Sequence, residues 1–190
     1  MAKIGMQYVW YRKYNTVLND DGTETTTLGE AKRMGGAISA DLSVSTTESK
    51  LYYDDGLGEY ANEFVEGSIT TVVDDMEDAA EQDLFGATTE ESGDIVNKST
   101  DSPPWIQQFF VITRIKKGVT QYRGYMLNKV KYGTPSDSQS TKGENITFGT
   151  TTVAGLLTKD DSDTWRRRSK WFDKIEDARN WVDEKKAETA

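Results

Sequence analysis

The sequence predicts a mainly β fold: a β-sandwich or barrel flanked by one α-helix, with long loops and a C-terminal helical extension. Three observations point there. Segments rich in Tyr, Val, Ile and Thr recur at short spacing, several with the period of two that marks a half-buried strand. Turn signals separate them: Asn19-Asp20-Asp21-Gly22, Gly35-Gly36 and Lys116-Lys117-Gly118. The apolar fraction, 35%, is below the usual ~45–50%, yet five Trp, nine Tyr and six Phe are present, which argues against disorder.

Met6 to Tyr14 reads as a first strand, and Thr25 to Leu28 returns from the Asn19–Gly22 turn to make a hairpin. Gly35-Gly36 breaks the chain. Ala37 to Val44 alternates, with Ile38, Ala40, Leu42 and Val44 expected on one face. Lys50 to Tyr53 is a short strand ending at Asp54-Asp55-Gly56. The acidic stretch Leu57 to Glu66 reads as a loop or contact segment, and Gly67 to Val73 as a strand. Asp75 is placed to cap a helix over Met76 to Phe85, with Met76, Ala79, Ala80 and Leu84 inward and Gly86 as its left-handed stop.

Ala87 to Pro104 is a polar loop. Phe109 to Arg114 and Tyr122 to Lys131 flank the Lys116–Gly118 turn as a second hairpin. Tyr132 to Lys142 is a loop containing Pro135, and Asn145 to Phe148 and Thr151 to Leu157 are further strands. The pattern divides the chain into a β domain, residues 1–158, and an extension, residues 159–190. The extension begins with the polar break Lys159 to Asp163 and the basic aromatic run Thr164 to Phe172. Asp173 then opens a helix, with Glu176 at capping-box spacing and Ile175, Ala178 and Val182 on one face. That apolar stripe predicts docking, with a subunit junction as the expected place.

The chain has no cysteine and no histidine. This removes disulfides, thiolate zinc sites, thiol nucleophiles, the commonest general base and the commonest metal ligand. No apolar run approaches the ~20 residues that span a bilayer, and no signal peptide is visible, so a protein made in a cytoplasm is expected. Net charge is −9, unevenly placed: residues 1–104 carry −14 and residues 105–190 carry +5. One reading averages this over a single surface. The other is a dipolar subunit whose acidic face meets the basic face of the next, a heterologous contact that builds rings or stacks.

Asp54, Asp55 and Glu59 do not match a calcium loop and read as a turn on an acidic surface rather than a carboxylate pair. Gly35-Gly36 reads as a sheet break, not a phosphate loop. The run Trp165, Arg166, Arg167, Arg168, Lys170, Trp171 admits three readings: a stacking platform for single-stranded nucleic acid, Arg stems lying along aromatic rings of a strand, or a cationic patch for acidic residues of a neighbouring subunit. No catalytic constellation stands out, and neither a catalytic role, a cofactor nor a metal is expected.

The order of segments resembles the major tail proteins of siphoviruses of Gram-positive bacteria. The resemblance is carried by Tyr8-Val9-Trp10-Tyr11, by Ala31 to Ala40 around Met34-Gly35-Gly36, and by Leu51-Tyr52-Tyr53-Asp54-Asp55-Gly56. Further pieces are Glu66-Gly67-Ser68-Ile69-Thr70 leading to Leu84-Phe85-Gly86, Tyr122-Arg123-Gly124-Tyr125, and Thr141 to Phe148 before the closing strand. It covers residues 1–157. It implies a structural virion protein without enzyme activity, assembled in the host cytoplasm into hexameric rings that stack head to tail as the tail tube. DNA would pass through the lumen unbound, past an acidic lining supplied by the first hundred residues. The partners implied are further copies of itself, the tape measure protein, the tail terminator and distal tail or baseplate proteins, with no membrane. Long loops are expected to reach the next ring, Thr46 to Glu66 foremost and Ala87 to Pro104 second. The contact candidates are Leu51, Tyr52, Tyr53, Leu57, Tyr60, Phe64, Trp165, Arg166, Arg167, Arg168 and Trp171. The alternatives are another ring component, such as a terminator or a type VI secretion tube-like protein, and a module binding single-stranded nucleic acid or carbohydrate.

Overall fold

The computed structural model describes residues 2–19, 21–53, 56–133, 136–138 and 149–188. Asp54, Asp55, Pro135 and the Asn145 to Phe148 strand predicted above lie outside the described residues. Seven strands follow one antiparallel path: β2 (Glu24–Arg33), β1 (Ala2–Leu18), β7 (Ile106–Lys116), β8 (Val119–Tyr132), β10 (Thr150–Thr158), β4 (Gly56–Met76) and β3 (Gly35–Tyr53). β9 (Ser136–Ser138) adds to β10, and β11 (Arg166–Arg168) adds to β8. The sheet curls so that β3 approaches β1 and encloses the main core, which agrees with the predicted β-sandwich or barrel.

That core is built from Val9, Tyr11, Ile69, Val73, Phe110 and Leu127, among others, and the helix α1 (Asp78–Phe85) closes it with Ala80, Leu84 and Phe85. A smaller cluster lies on the opposite face of β7 and β8. There Phe109, Val111 and Met126 meet Ala178 and Val182 of α2 (Ile175–Ala187). β7 is therefore buried on both faces, and residues Ile106 to Val111 have no exposed side. A strand covered twice reads as a continuous apolar run rather than an alternation.

The Lys116–Gly118 hairpin forms as predicted. Lys117 (φ 50°) and Gly118 (φ 81°) make the two-residue turn between β7 and β8. Met34 separates β2 from β3, and Gly35 follows at φ 147° with its Cα against the Asp75 carbonyl, where any Cβ would collide. The Gly-Gly step is thus a strand junction, as expected.

Four readings are corrected. Ile38 is exposed: the register slips between Ala37 and Ser39, so the bulged Ile38 turns outward while Ala37, Ala40 and Leu42 pack on the core. α1 starts at Asp78 with Glu77 as a cap that makes no side-chain hydrogen bond. Asp75 and Met76 remain in β4 because Met76 pairs with Gly35, a contact between residues far apart in sequence. Ala79 is exposed, whereas Gly86 does end the helix, at φ 75°. Asp173 does not cap α2: its carboxylate accepts a hydrogen bond from Gln121 Nε2 at 3.0 Å, and Lys174 holds the N-cap. The fourth correction is the largest. Thr46 to Glu66 is not a loop but the far half of the β3–β4 hairpin, paired from Thr46↔Phe64 out to Tyr53↔Gly56. Ala87 to Pro104 is largely irregular, interrupted by the short pair β5 (Thr88–Thr89) and β6 (Ile95–Val96).

α2 folds back on its own sheet. Trp181 lies over Gly124 of β8, where a Cβ would run into the indole. The buried Arg12 anchors the far end: Nη1 donates to the carbonyls of Lys186 (2.6 Å) and Glu188 (2.7 Å), and Nη2 donates to Gln107 Oε1 (2.7 Å). A cation at unsatisfied C-terminal carbonyls stabilises a helix end.

Candidate assembly surface

The β3–β4 hairpin leaves the body near Val44↔Gly67. The nine further residues of β3, 45–53, at about 3.3 Å each, carry its tip about 30 Å outward. Every described side chain from 45 to 66 except Phe64 is exposed; Tyr52 is 65% exposed, Tyr53 59%, Leu51 57% and Tyr60 50%.

Paired residues of an antiparallel ladder share a face, so the arm has two unlike sides. One carries Lys50, Tyr52, Tyr60 and Asn62, and its polar groups satisfy one another: Asn62 Nδ2 donates to the Tyr60 hydroxyl (2.9 Å), and Lys50 sits 5.8 Å from the Tyr60 ring centre and 3.5 Å from Glu48. The other carries Leu51, Tyr53, Glu59 and Glu63. Leu51 stands directly opposite Glu59; among the described residues neither Glu59 nor Glu63 makes a salt bridge, although Lys159 lies close enough to Glu63 for the two to attract. Gly58 bulges from β4 beneath the Tyr53 ring, so the aromatic side chain covers the kink.

Among the other contact candidates, Leu57 lies at the tip opposite Tyr52 in register. The structure brings Phe64 and Trp165 together at the base of the arm, stacked at 4.7 Å between centroids and 4° between planes. Arg166 lies 4.2 Å from the Trp165 centroid, and Arg114 and Arg123 lie 3.7 and 4.4 Å from that of Trp171. Arg167 pairs with Glu188 at 3.6 Å, and Arg168 is exposed. The basic aromatic run therefore spends its rings on contacts within the chain, with arginine stems along them. A base-stacking platform needs ring faces open to the ligand, and Trp165 and Trp171 are already covered by these neighbours.

Sequence reasoning missed a second surface. Where β3 and β1 part, a cleft of about 490 Å³ is lined by Met6, Ile38, Asp41, Leu42, Phe110 and Tyr125, with Arg166 at its rim. The outward turn of Ile38 at its bulge was the signal hidden there, because an alternating strand was expected to bury it.

The remaining polar groups are structural. Asp83 of α1 accepts hydrogen bonds from Lys32 (2.7 Å), Lys13 (3.0 Å) and Tyr11 (3.0 Å). Burial pushes its carboxyl up, but these three donors outweigh burial and hold it below the usual carboxylate range. Thr71, Gln108 and Tyr132 form a closed ring inside the core: Gln108 Nε2 donates to Thr71 Oγ1 (3.0 Å), Thr71 and Tyr132 share 2.8 Å, and Tyr132 donates to Gln108 Oε1 (2.8 Å). Burial raises the Tyr132 phenol, so it stays protonated and able to donate. Among the described residues no three acidic, His or Cys side chains converge as metal ligands, and no helix is long and apolar enough to cross a membrane.

No family model matches the sequence, and no curated protein is similar to it. Among solved structures, the chain is similar in fold to the anti-feeding prophage cap, the tube-terminating cap of that particle, solved by cryo-EM. The likeness has a TM-score of 0.40 at 11% identity over 84% of this chain and 87% of the cap chain.

Proposed function

We propose that this protein is a structural subunit of a phage tail tube that assembles with copies of itself into hexameric rings stacked head to tail. The observation that carries the reading is the arm: a long, ordered hairpin with five large apolar or aromatic side chains in solvent (Leu51, Tyr52, Tyr53, Tyr60 and Val65) and nothing among the described residues to cover them. Such patches on a folded protein mark contact surfaces. β2 and β3 also end the sheet as open edges, which pairing with neighbouring copies would satisfy. The charge asymmetry between residues 1–104 and 105–190 suits a repeated acid-to-base contact.

In this role the protein has no catalytic step. Its work is to form a conduit whose acidic lining repels phosphates so that DNA slides through, ending against terminator, tape measure and distal tail proteins in the virion. The test is negative-stain electron microscopy of the purified, concentrated chain over a range of salt. Hollow tubes or six-fold rings are the expected result. A chain that stays monomeric at every concentration and salt, and also fails to join tubes when mixed with the other tail proteins, would overturn the proposal.

A further inference from the structure

Arg166 and Arg168 are two residues apart on β11, opposite Leu127 and Tyr125 of β8, and so share the face on which the cleft opens. Arg123, two residues before Tyr125, lies close enough that the three guanidinium groups act on one another. Burial first, and then the neighbouring arginines, push Arg123 and Arg166 below the usual arginine range. Among the described residues no carboxylate pairs with Arg123, Arg166 or Arg168, and Arg123 Nε is buried without a hydrogen-bond partner. The cleft lining holds one carboxylate, Asp41, which makes no ion pair with these arginines, so the cluster of cations keeps a net positive charge.

The arm has the matching chemistry. Residues 45–66 contain six acids (Glu48, Asp54, Asp55, Glu59, Glu63, Glu66) and one base (Lys50), net −5. The side away from Lys50 combines Leu51 and Tyr53 with Glu59 and Glu63, neither of them in a salt bridge. A dry cavity on the order of 150 Å³ takes one benzene ring, so a cleft of about 490 Å³ has room for a tyrosine ring and a leucine side chain. The length of β3 holds the end of the arm away from its own cleft: Ile38 in the cleft wall and Tyr52 near the tip belong to one extended strand, about 45 Å apart along it at 3.3 Å per residue.

We propose that the Leu51–Tyr53–Glu59–Glu63 side of the arm docks in the arginine-rimmed cleft of a second copy of this chain. The inference rests on the self-assembly reading and names the surfaces that meet. Arm and cleft are different surfaces, so the contact is heterologous. Every docked copy still offers one arm and one cleft, and the series propagates rather than closing as a dimer. Leu51 and Tyr53 fill the floor, and Glu59 and Glu63 supply the charge that the arginines lack.

Charge reversal tests this by sedimentation and microscopy of the full chain. R166E/R168E and E59K/E63K are each expected to abolish assembly, and the four changes together in one chain to restore it, since every junction then has its charges exchanged. Circular dichroism confirms that each variant is folded. A second measurement does not depend on those variants. The chain has no cysteine, so an L51C/I38C protein treated with a flexible bis-maleimide should give a ladder of covalent oligomers, while either single variant gives at most dimers. Docking is overturned if the wild type forms rings or tubes but the charge variants assemble equally well, or if the cysteine pair gives no ladder. Arginine variants that assemble normally and lose only binding to single-stranded DNA would make the cleft a nucleic-acid site instead. If the wild type neither self-associates nor joins tubes when mixed with the other tail proteins, the self-assembly reading falls with it.

Discussion

The body and the arm are made of the same two strands but are held together differently. Between Gly67 and Val73, β4 buries Ile69, Thr71 and Val73 against strands from distant parts of the chain. Between Gly56 and Glu66 the same strand has only its hairpin partner, and nearly every described side chain is in solvent. An isolated two-stranded hairpin is marginal in water. The arm keeps its register because the buried half of each strand sets it, and local pairs such as Asn62 with Tyr60 then hold the exposed half. Sheet in the body is a consequence of burial; sheet in the arm is templated by the body.

Substitutions separate the two regimes most clearly where burial is deepest. Phe109→Ala, between the sheet and α2, is expected to lower the unfolding free energy by about 3–5 kcal/mol, read by urea denaturation, whereas Leu51→Ala on the arm should change it by less than about 0.5 kcal/mol. An equal cost at both sites would break the comparison. Arg12→Ala, which removes the donors from the last carbonyls of α2, is expected to cost about 2 kcal/mol and to speed amide exchange in residues 175–187 ahead of the sheet. Tyr132→Phe should cost about 1–2 kcal/mol, because Gln108 Oε1 and Thr71 lose a partner with no water to replace it.

Acid acts on the body at Asp83. Its pKa is depressed in the folded state, so the stabilisation is fully present above the unfolded carboxylate value and is lost as pH falls through the lower folded value. Thermal melts below about pH 4 should therefore fall less steeply for Asp83→Asn than for the wild type, whose melting temperature should be the higher at pH 7. Only a small effect on stability is expected from the largest deletion. Joining Thr46 to Phe64, which already face each other, through an Asn-Gly turn removes the arm but keeps the Phe64–Trp165 stack. The melting temperature should move by no more than a few degrees, while assembly is lost.

The sequence was informative where a strand has one wet and one dry face or a turn has its own chemistry. The Lys117-Gly118 hairpin and the Gly86 helix stop are local, and both were legible. Of the arm only Lys50 to Tyr53 was legible as a strand; the rest was not, because period two is a record of one-sided burial, and a hairpin wet on both sides leaves none. β7 was legible as a strand but not as a doubly covered one until α2 was seen on Phe109 and Val111. Asp75 and Asp173 look like caps by local rules, but partners far along the chain, Gly35 pairing beside Asp75 and Gln121 binding Asp173, decide their roles. Of the contact candidates, the exposed aromatics of the arm were found by composition. The cleft was missed because it joins residues from β1, β3, β7, β8 and β11, which no sequence window contains.

The Thr71–Gln108–Tyr132 ring bears on how the chain avoids misfolding. β4, β7 and β8 each have to find partners among strands of similar composition, and a shift of one residue exchanges the two faces of a strand. In β7 such a slip would replace Gln108 with Gln107 or Phe109 at the centre of the core. The glutamine amide has a fixed donor end and a fixed acceptor end, so the cycle closes in one sense only, with all three strands in native alignment. Any other alignment strands polar groups in an apolar interior at about 1–3 kcal/mol each. The ring therefore works as a proofreading device, rejecting shifted sheets before they commit. Under the self-assembly proposed above, that matters because every copy has to present the same shape.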